Sequence, residues 1–254
     1  MSNVEIEQQT KEIVEELLRC DFSQIYDILP AEKELSILCQ NHKKATYPMI
    51  GLMLANIMLG NKETALKLAK DIWDIGGELS DFFEEVYVIC LLNVGEIKKA
   101  SVLLDERLDF LAENVDKFYQ PMVKYALATG DFELLCKIGE FGNNKNNEPY
   151  LYLFAERCFY NNSKNDFSAI IKIATDNLGN NCSAWGYKTE NDGLVNLIFY
   201  TNAETEQNQA WLRTINKKIE SYYLSSQSNS DDYLNIKILN IKLCPAYKKN
   251  ISAE

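Results

Sequence analysis

Apolar residues recur at helical spacing along most of this chain. Ile97, Ala100, Leu104, Leu108 and Leu111 step by three and four positions along one face, and Ala65, Leu68, Ala69 and Ile72 do the same. That period predicts amphipathic helices from residue 3 to about residue 177. Between them short turns recur: Leu59-Gly60-Asn61-Lys62, Val94-Gly95-Glu96-Ile97, Thr129-Gly130-Asp131-Phe132 and Lys164-Asn165-Asp166-Phe167. The turn residues 60, 95, 130 and 165 are spaced by 35 each time. Three are Gly and one is Asn, the residues that best accept the left-handed backbone after a helix C-terminus. Five positions after each comes an apolar residue: Ala65, Ala100, Leu135 and Ile170. Cys20-Asp21-Phe22, followed by Ile25, reads as an earlier copy, with about five residues inserted near Pro30 or within Gln40-Asn41-His42-Lys43-Lys44.

Pro48 and Pro149 fall near expected helix starts, where a missing N–H costs little. Pro121 implies either a late helix start or a kink. Residues 142–147 read as a polar loop, and 179–193 as a long loop without periodicity. Beyond it, 194–201 is a short apolar run, Thr201-x-x-Glu204 resembles a capping box opening a helix to about Tyr223, and 225–230 reads as a linker. Residues 233–243 alternate, with a slip of phase at Leu239-Asn240 that suits a bulge. The reading is strand–helix–strand with the strands parallel; the rival makes 194–201 the first helix of another degenerate hairpin.

Two helices and a tight turn repeated every 35 residues are a helical-repeat signature. On Gly60/Ala65 and Gly95/Ala100 the chain resembles the tetratricopeptide-repeat superfamily over roughly residues 5–177. Gly130/Leu135 keeps half of that pair and Asn165/Ile170 neither, so the copies are degenerate. The resemblance implies a mainly α, TPR-like α-solenoid over 1–178, followed by the 179–193 loop and a small strand–helix–strand module over 194–254. It also implies a concave face, lined by the first helix of each pair, that holds another protein, a peptide or an amphipathic helix. Carried over from the turns, that face would present Tyr47, Leu54 and Ile57, then Phe82, Glu85 and Asn93, then Lys117, Gln120 and Lys124, then Tyr152 and Phe159. Trp185 and Tyr187 in the 179–193 loop would either anchor a partner or cap the last hairpin.

Composition narrows the picture. The chain has 11 Gly and 5 Pro in 254 residues, too few turn-formers for a large all-β fold. The net charge is −11, while residues 211–254 alone carry +3. This acidity argues against nucleic acid, including the pentatricopeptide RNA-binding reading, and suits a basic partner. No apolar run reaches membrane-spanning length, and no signal peptide is legible at the N-terminus. The seven cysteines lack metal-ligand spacing and suit a reducing, cytoplasmic setting. His42 is the only histidine and reads as a solvated loop residue. No phosphate loop, nucleophile elbow or zinc motif is present, so the expectation is a non-enzymatic adaptor or scaffold with no cofactor and no metal. The edge of the C-terminal strand offers a route to a homo-oligomer. Two alternatives stand beside the adaptor: an acidic immunity or antitoxin-type inhibitor masking a basic surface, and an enzyme with a site near 179–193.

Overall fold

The computed structural model describes residues 2–20, 25–141, 149–160, 164–189, 195–201, 203, 205–225 and 239–245. Among these the fold is mostly helical, with one small sheet. The first copy's turn at 21–24, the polar loop at 142–147 and the linker at 226–230 lie outside them.

The chain opens with α1 (Asn3–Arg19) and α2 (Ile25–Asn41). A reciprocal capping box fixes the start of α1: Ser2 Oγ accepts from the Glu5 N–H at 3.3 Å, and the Glu5 carboxylate accepts from the Ser2 N–H at 2.7 Å. Three hairpins follow. They are α3 (Thr46–Met58) with α4 (Lys62–Ile75), α5 (Asp81–Val94) with α6 (Ile97–Asp109), and, after the single turn α7 (Leu111–Asn114), α8 (Tyr119–Thr129) with α9 (Phe132–Phe141).

Their tight turns are built alike. Gly60, Gly95 and Gly130 have φ of 78°, 90° and 64°. The next residue's N–H reaches back five positions in every case: Asn61 to Asn56, Glu96 to Leu91 and Asp131 to Ala126, at 2.8–2.9 Å. This is the Schellman closure, which satisfies carbonyls that the helix end would leave open. The second helix begins two residues after each glycine, and Ala65, Ala100 and Leu135 are fully buried against the first. First helices touch first helices in succession, α1 to α3, α3 to α5 and α5 to α8. Pro48 and Pro121 sit in the first turns of α3 and α8, so at Pro121 the late start prevails over the kink.

The fourth copy departs from the period. The chain continues into α10 (Pro149–Tyr160) and α11 (Lys164–Leu178), which places Asn165 inside the first turn of α11 rather than in a turn. A polar residue is tolerated there because the first N–H groups of a helix need no intrahelical partner. α11 also runs back across the tips of the earlier hairpins. Ser168 Oγ lies 3.4 Å from the Thr129 carbonyl at the third tip. At the other end Lys62 Nζ donates to the Gly179 carbonyl at 3.4 Å, and Asn180 Nδ2 donates to the Glu63 carboxylate at 3.0 Å, both at the first tip.

Of the segment expected to be a loop over 179–193, residues 179–189 are regular structure, and 190–193 lie outside the described residues. A 3-10 turn at Gly179–Asn181 leads into the strand β1 (Cys182–Thr189), which pairs antiparallel with β2 (Val195–Thr201). Then α12 (Thr205–Ser225) crosses over to β3 (Leu239–Pro245), parallel to β2, giving the order β1-β2-β3. The strand reading therefore holds over 195–201 against the helical one, as does parallel pairing after a helix; the strand expected over 233–243 is seen at Leu239–Pro245, in unbroken register with β2 where a bulge at Leu239-Asn240 was expected, and 194 and 233–238 lie outside the described residues. The capping box does not: Thr201 is the last residue of β2, and its buried hydroxyl lies 2.6 Å from Asn208 Oδ1, while the helix starts four residues later. The sheet rests on the hairpins through β1, which packs on α3 and α5, and α12 packs on α11 and β3. Phe199 and Ile215 thereby join the same apolar core as Ile50, Leu91 and Met122.

Candidate functional site

The residues expected on a partner-binding face separate into three groups. The first converges. Asn93 lies in the last turn of α5, Lys124 in the middle of α8, and Trp185 comes in on β1 from outside the hairpins. Lys124 Nζ donates to Asn93 Oδ1 and to the Trp185 carbonyl, both at 2.6 Å, and lies 4.8 Å from the centre of the Trp185 ring. The Trp185 N–H donates to Asn93 Oδ1 at 3.2 Å, and its indole N–H donates to the Leu92 carbonyl at 3.3 Å. The main chain of Trp185 is thus gripped on both sides and its ring covers the cation. Asn93 and Trp185 are only 8% and 5% exposed and Lys124 is half-buried, so the polar groups of these three residues are satisfied inside the molecule rather than offered to a partner.

Burial explains the electrostatics of this cluster. It pushes the Lys124 ammonium down to about 7, against the opposite influence of Cys90 and Cys182. The same effect pushes the Cys90 thiol up to about 12 and the Cys182 thiol up to about 11. All seven cysteines are unpaired thiols. Raised pKa values make the buried ones poor nucleophiles.

The second group remains accessible. Tyr47 at the start of α3 and Phe82 at the start of α5 are half-buried on either side of Phe83, with ring centres 4.7 and 5.1 Å from it. Lys11 lies 5.2 Å over the Phe82 ring. One turn further along α5, burial raises the pKa of the Glu85 carboxyl, and no cation pairs with it among the described residues. Lys117 and Gln120 are exposed near the start of α8, with Lys117 Nζ 3.4 Å from Asp81. Asp81 and Glu84 in turn hold Arg107, at 2.8 and 3.0 Å.

The third group stands apart. Tyr152 serves packing: its hydroxyl lies 2.8 Å from that of Tyr119, and its ring fills the space beside Gly139. Phe159 is 46% exposed near the end of α10. Leu54 and Ile57 belong to the core, and Tyr187 is half-exposed on β1 beside Leu197. His42, expected as a solvated loop residue, lies in the connection between α2 and α3, half-buried, and borders a polar cavity of 530 Å³ shared with Tyr47, Lys43, Lys44 and Glu78.

A second cavity, of 680 Å³, lies where α11 bridges the hairpin tips. Its lining joins Lys62, Asn93, Gly95 and Ile97 to Ile171, Lys172, Cys182 and Trp185. Apart from Asn93 and Trp185, these residues are absent from the sequence-based candidates. Part of the signal was present: Ser168, Ile171, Lys172, Thr175 and Asp176 form a half-polar stripe on α11 beside the core stripe Phe167, Ile170, Ala174 and Leu178. Among the described residues, no three His, Cys, Asp or Glu side chains converge as a metal site would require, and no helix is long and apolar enough to cross a membrane.

Searches of protein-family models, curated proteins and solved structures returned no match to this chain.

Proposed function

We propose that this chain is a degenerate TPR-like adaptor that binds a basic segment of another protein on the open part of its first-helix face. Three Schellman-closed glycine turns at 35-residue intervals and the succession of first-helix contacts support the repeat reading. The observation that carries the partner's chemistry is Glu85. A half-buried carboxylate without a cation is electrostatically incomplete, and here it lies one turn from Phe82 on a chain of net charge −11. An incoming Lys or Arg would complete it, with its stem on the Phe82 ring and Tyr47 beside it. Asn93, Lys124 and Trp185 have no part in this reading, because β1 already occupies that end of the face. The reading assigns no catalytic step to the chain.

The acidic-inhibitor alternative uses the same net charge and would mask a basic enzyme surface. The test is co-purification of the full chain from native extract, followed by mass spectrometry and binding assays with the isolated partner. Glu85→Lys is expected to weaken binding at least about tenfold, the factor for losing roughly 1.4 kcal/mol, and raised salt to slow association. Unchanged affinity of Glu85→Lys for the co-purified protein, or a partner that is itself acidic, would overturn the reading. Association with an enzyme whose activity falls on binding would select the inhibitor alternative.

A further inference from the structure

The 680 Å³ cavity under α11 lies away from the Glu85 patch and has a different chemistry. Its size falls in the range of small-molecule sites, roughly 300–1,000 Å³. The floor is apolar: Ile97 opens α6, Ile171 projects from α11, and Trp185 is fixed from β1 by the Lys124 and Asn93 clasp. A floor held this firmly is preformed, which lowers the ordering cost of binding. Two lysines stand over it on separate elements, Lys62 at the start of α4 and Lys172 on α11. Lys62 donates to the Gly179 carbonyl, which holds it at the rim, and Lys172 is exposed. Asp176 is the carboxylate on the same lining, yet neither lysine forms an ion pair among the described residues. On an acidic protein, two unpaired ammonium groups above an apolar floor form a local exception.

We infer that this cavity binds a small organic anion, with its apolar body on Ile97, Ile171 and Trp185 and its acidic head between Lys62 and Lys172. The inference goes beyond the adaptor reading and does not depend on it. A carboxylate, a sulfonate or a phosphate monoester would satisfy the head position, provided an apolar body accompanies it.

The test uses the full chain and the fluorescent probe 8-anilinonaphthalene-1-sulfonate, with octanoate and inorganic phosphate as competitors. One probe molecule per chain is expected to bind, to be displaced by octanoate, and to stay in place under phosphate at the same concentration. Lys172→Glu, at an exposed position whose ammonium forms no ion pair among the described residues, should weaken the probe at least about tenfold, equivalent to roughly 1.4 kcal/mol. Ile171→Trp, which fills the cavity with a side chain, should also lower affinity, with both variants keeping the helical circular dichroism of the parent. Three results would each overturn the inference: no saturable binding, affinity unchanged in both variants, or phosphate competing as well as octanoate, which would mark a bare-anion patch.

Discussion

The hairpins α1–α9 and the sheet module are held together in opposite ways. A hairpin closes on itself through residues close in sequence: Gly95, its Schellman bond from Glu96 to Leu91 and the buried Ala100 lie within ten residues of one another. The sheet module is tied down by partners far away in the chain, since Trp185 bonds Leu92 and Asn93, and Gly179 and Asn180 bond Lys62 and Glu63. Local closure repeats and so leaves a period. Distant closure happens once, and it is the distant closure that builds both the clasp and the cavity.

Substitutions that strike one mode and spare the other sharpen this contrast. Trp185→Ala should be the most damaging, removing a buried aromatic, uncovering the Lys124 ammonium and leaving the Leu92 carbonyl without the indole N–H, at a cost of about 3–5 kcal/mol. In urea unfolding it should split the sheet from the hairpins. A single, coincident transition with unchanged midpoint would mean that the clasp does not hold the two together. Gly139→Ala comes next, at about 1–3 kcal/mol, because the added Cβ would overlap the Tyr152 ring; the thermal midpoint reads it. Gly95→Ala should cost about 1–2 kcal/mol from the left-handed backbone alone, as nothing lies near the added carbon.

The pH dependence tests the clasp more gently. Lys124 has its folded-state pKa lowered by burial to about 7, so in this region the unfolded chain binds more protons. Its contribution to stability is therefore unfavourable below pH 7 and improves as pH rises. Above about pH 9 the raised thiols of Cys90, Cys158 and Cys182 work the other way, because they ionise first in the unfolded chain. Stability of the parent relative to Lys124→Met should thus rise between pH 7 and pH 9, and a flat difference would show that the lysine titrates normally. Smallest of all, Glu85→Gln should stabilise the free protein by less than about 1 kcal/mol by removing an uncompensated charge, measured by chemical denaturation, while weakening the basic partner.

The same division explains what was legible in the sequence. Gly60, Gly95 and Gly130 could be read because each turn needs a residue with positive φ, and few residues supply it. Asn165 broke the register because the helix there begins at Lys164, and nothing in a single polar residue distinguishes a turn from a first helical turn. β1 was hidden for a different reason. Ala184 and Trp185 are both buried, one after the other beside a register shift, so the strand lacks the alternation that marks one covered face. Asn93, Lys124 and Trp185 were each singled out, Asn93 and Lys124 as lining a partner-binding face and Trp185 as either a partner anchor or an internal cap. The residues that could grip an extended peptide grip one of the chain's own, and no local pattern encodes which.

The parallel pairing of β2 with β3 sets an order of events during synthesis. β2 is the middle strand, and its second neighbour is made only after the whole of α12. The hairpins, needing only near neighbours, can close while the chain is still emerging from the ribosome. Until residues 239–245 are free to pair, β1 and β2 form a two-stranded ribbon whose support is the packing of β1 on α3 and α5. Leu92, Asn93 and Lys124 lack their Trp185 contacts until β1 has emerged, and that interval is when a chaperone has most to bind at this end of the hairpins.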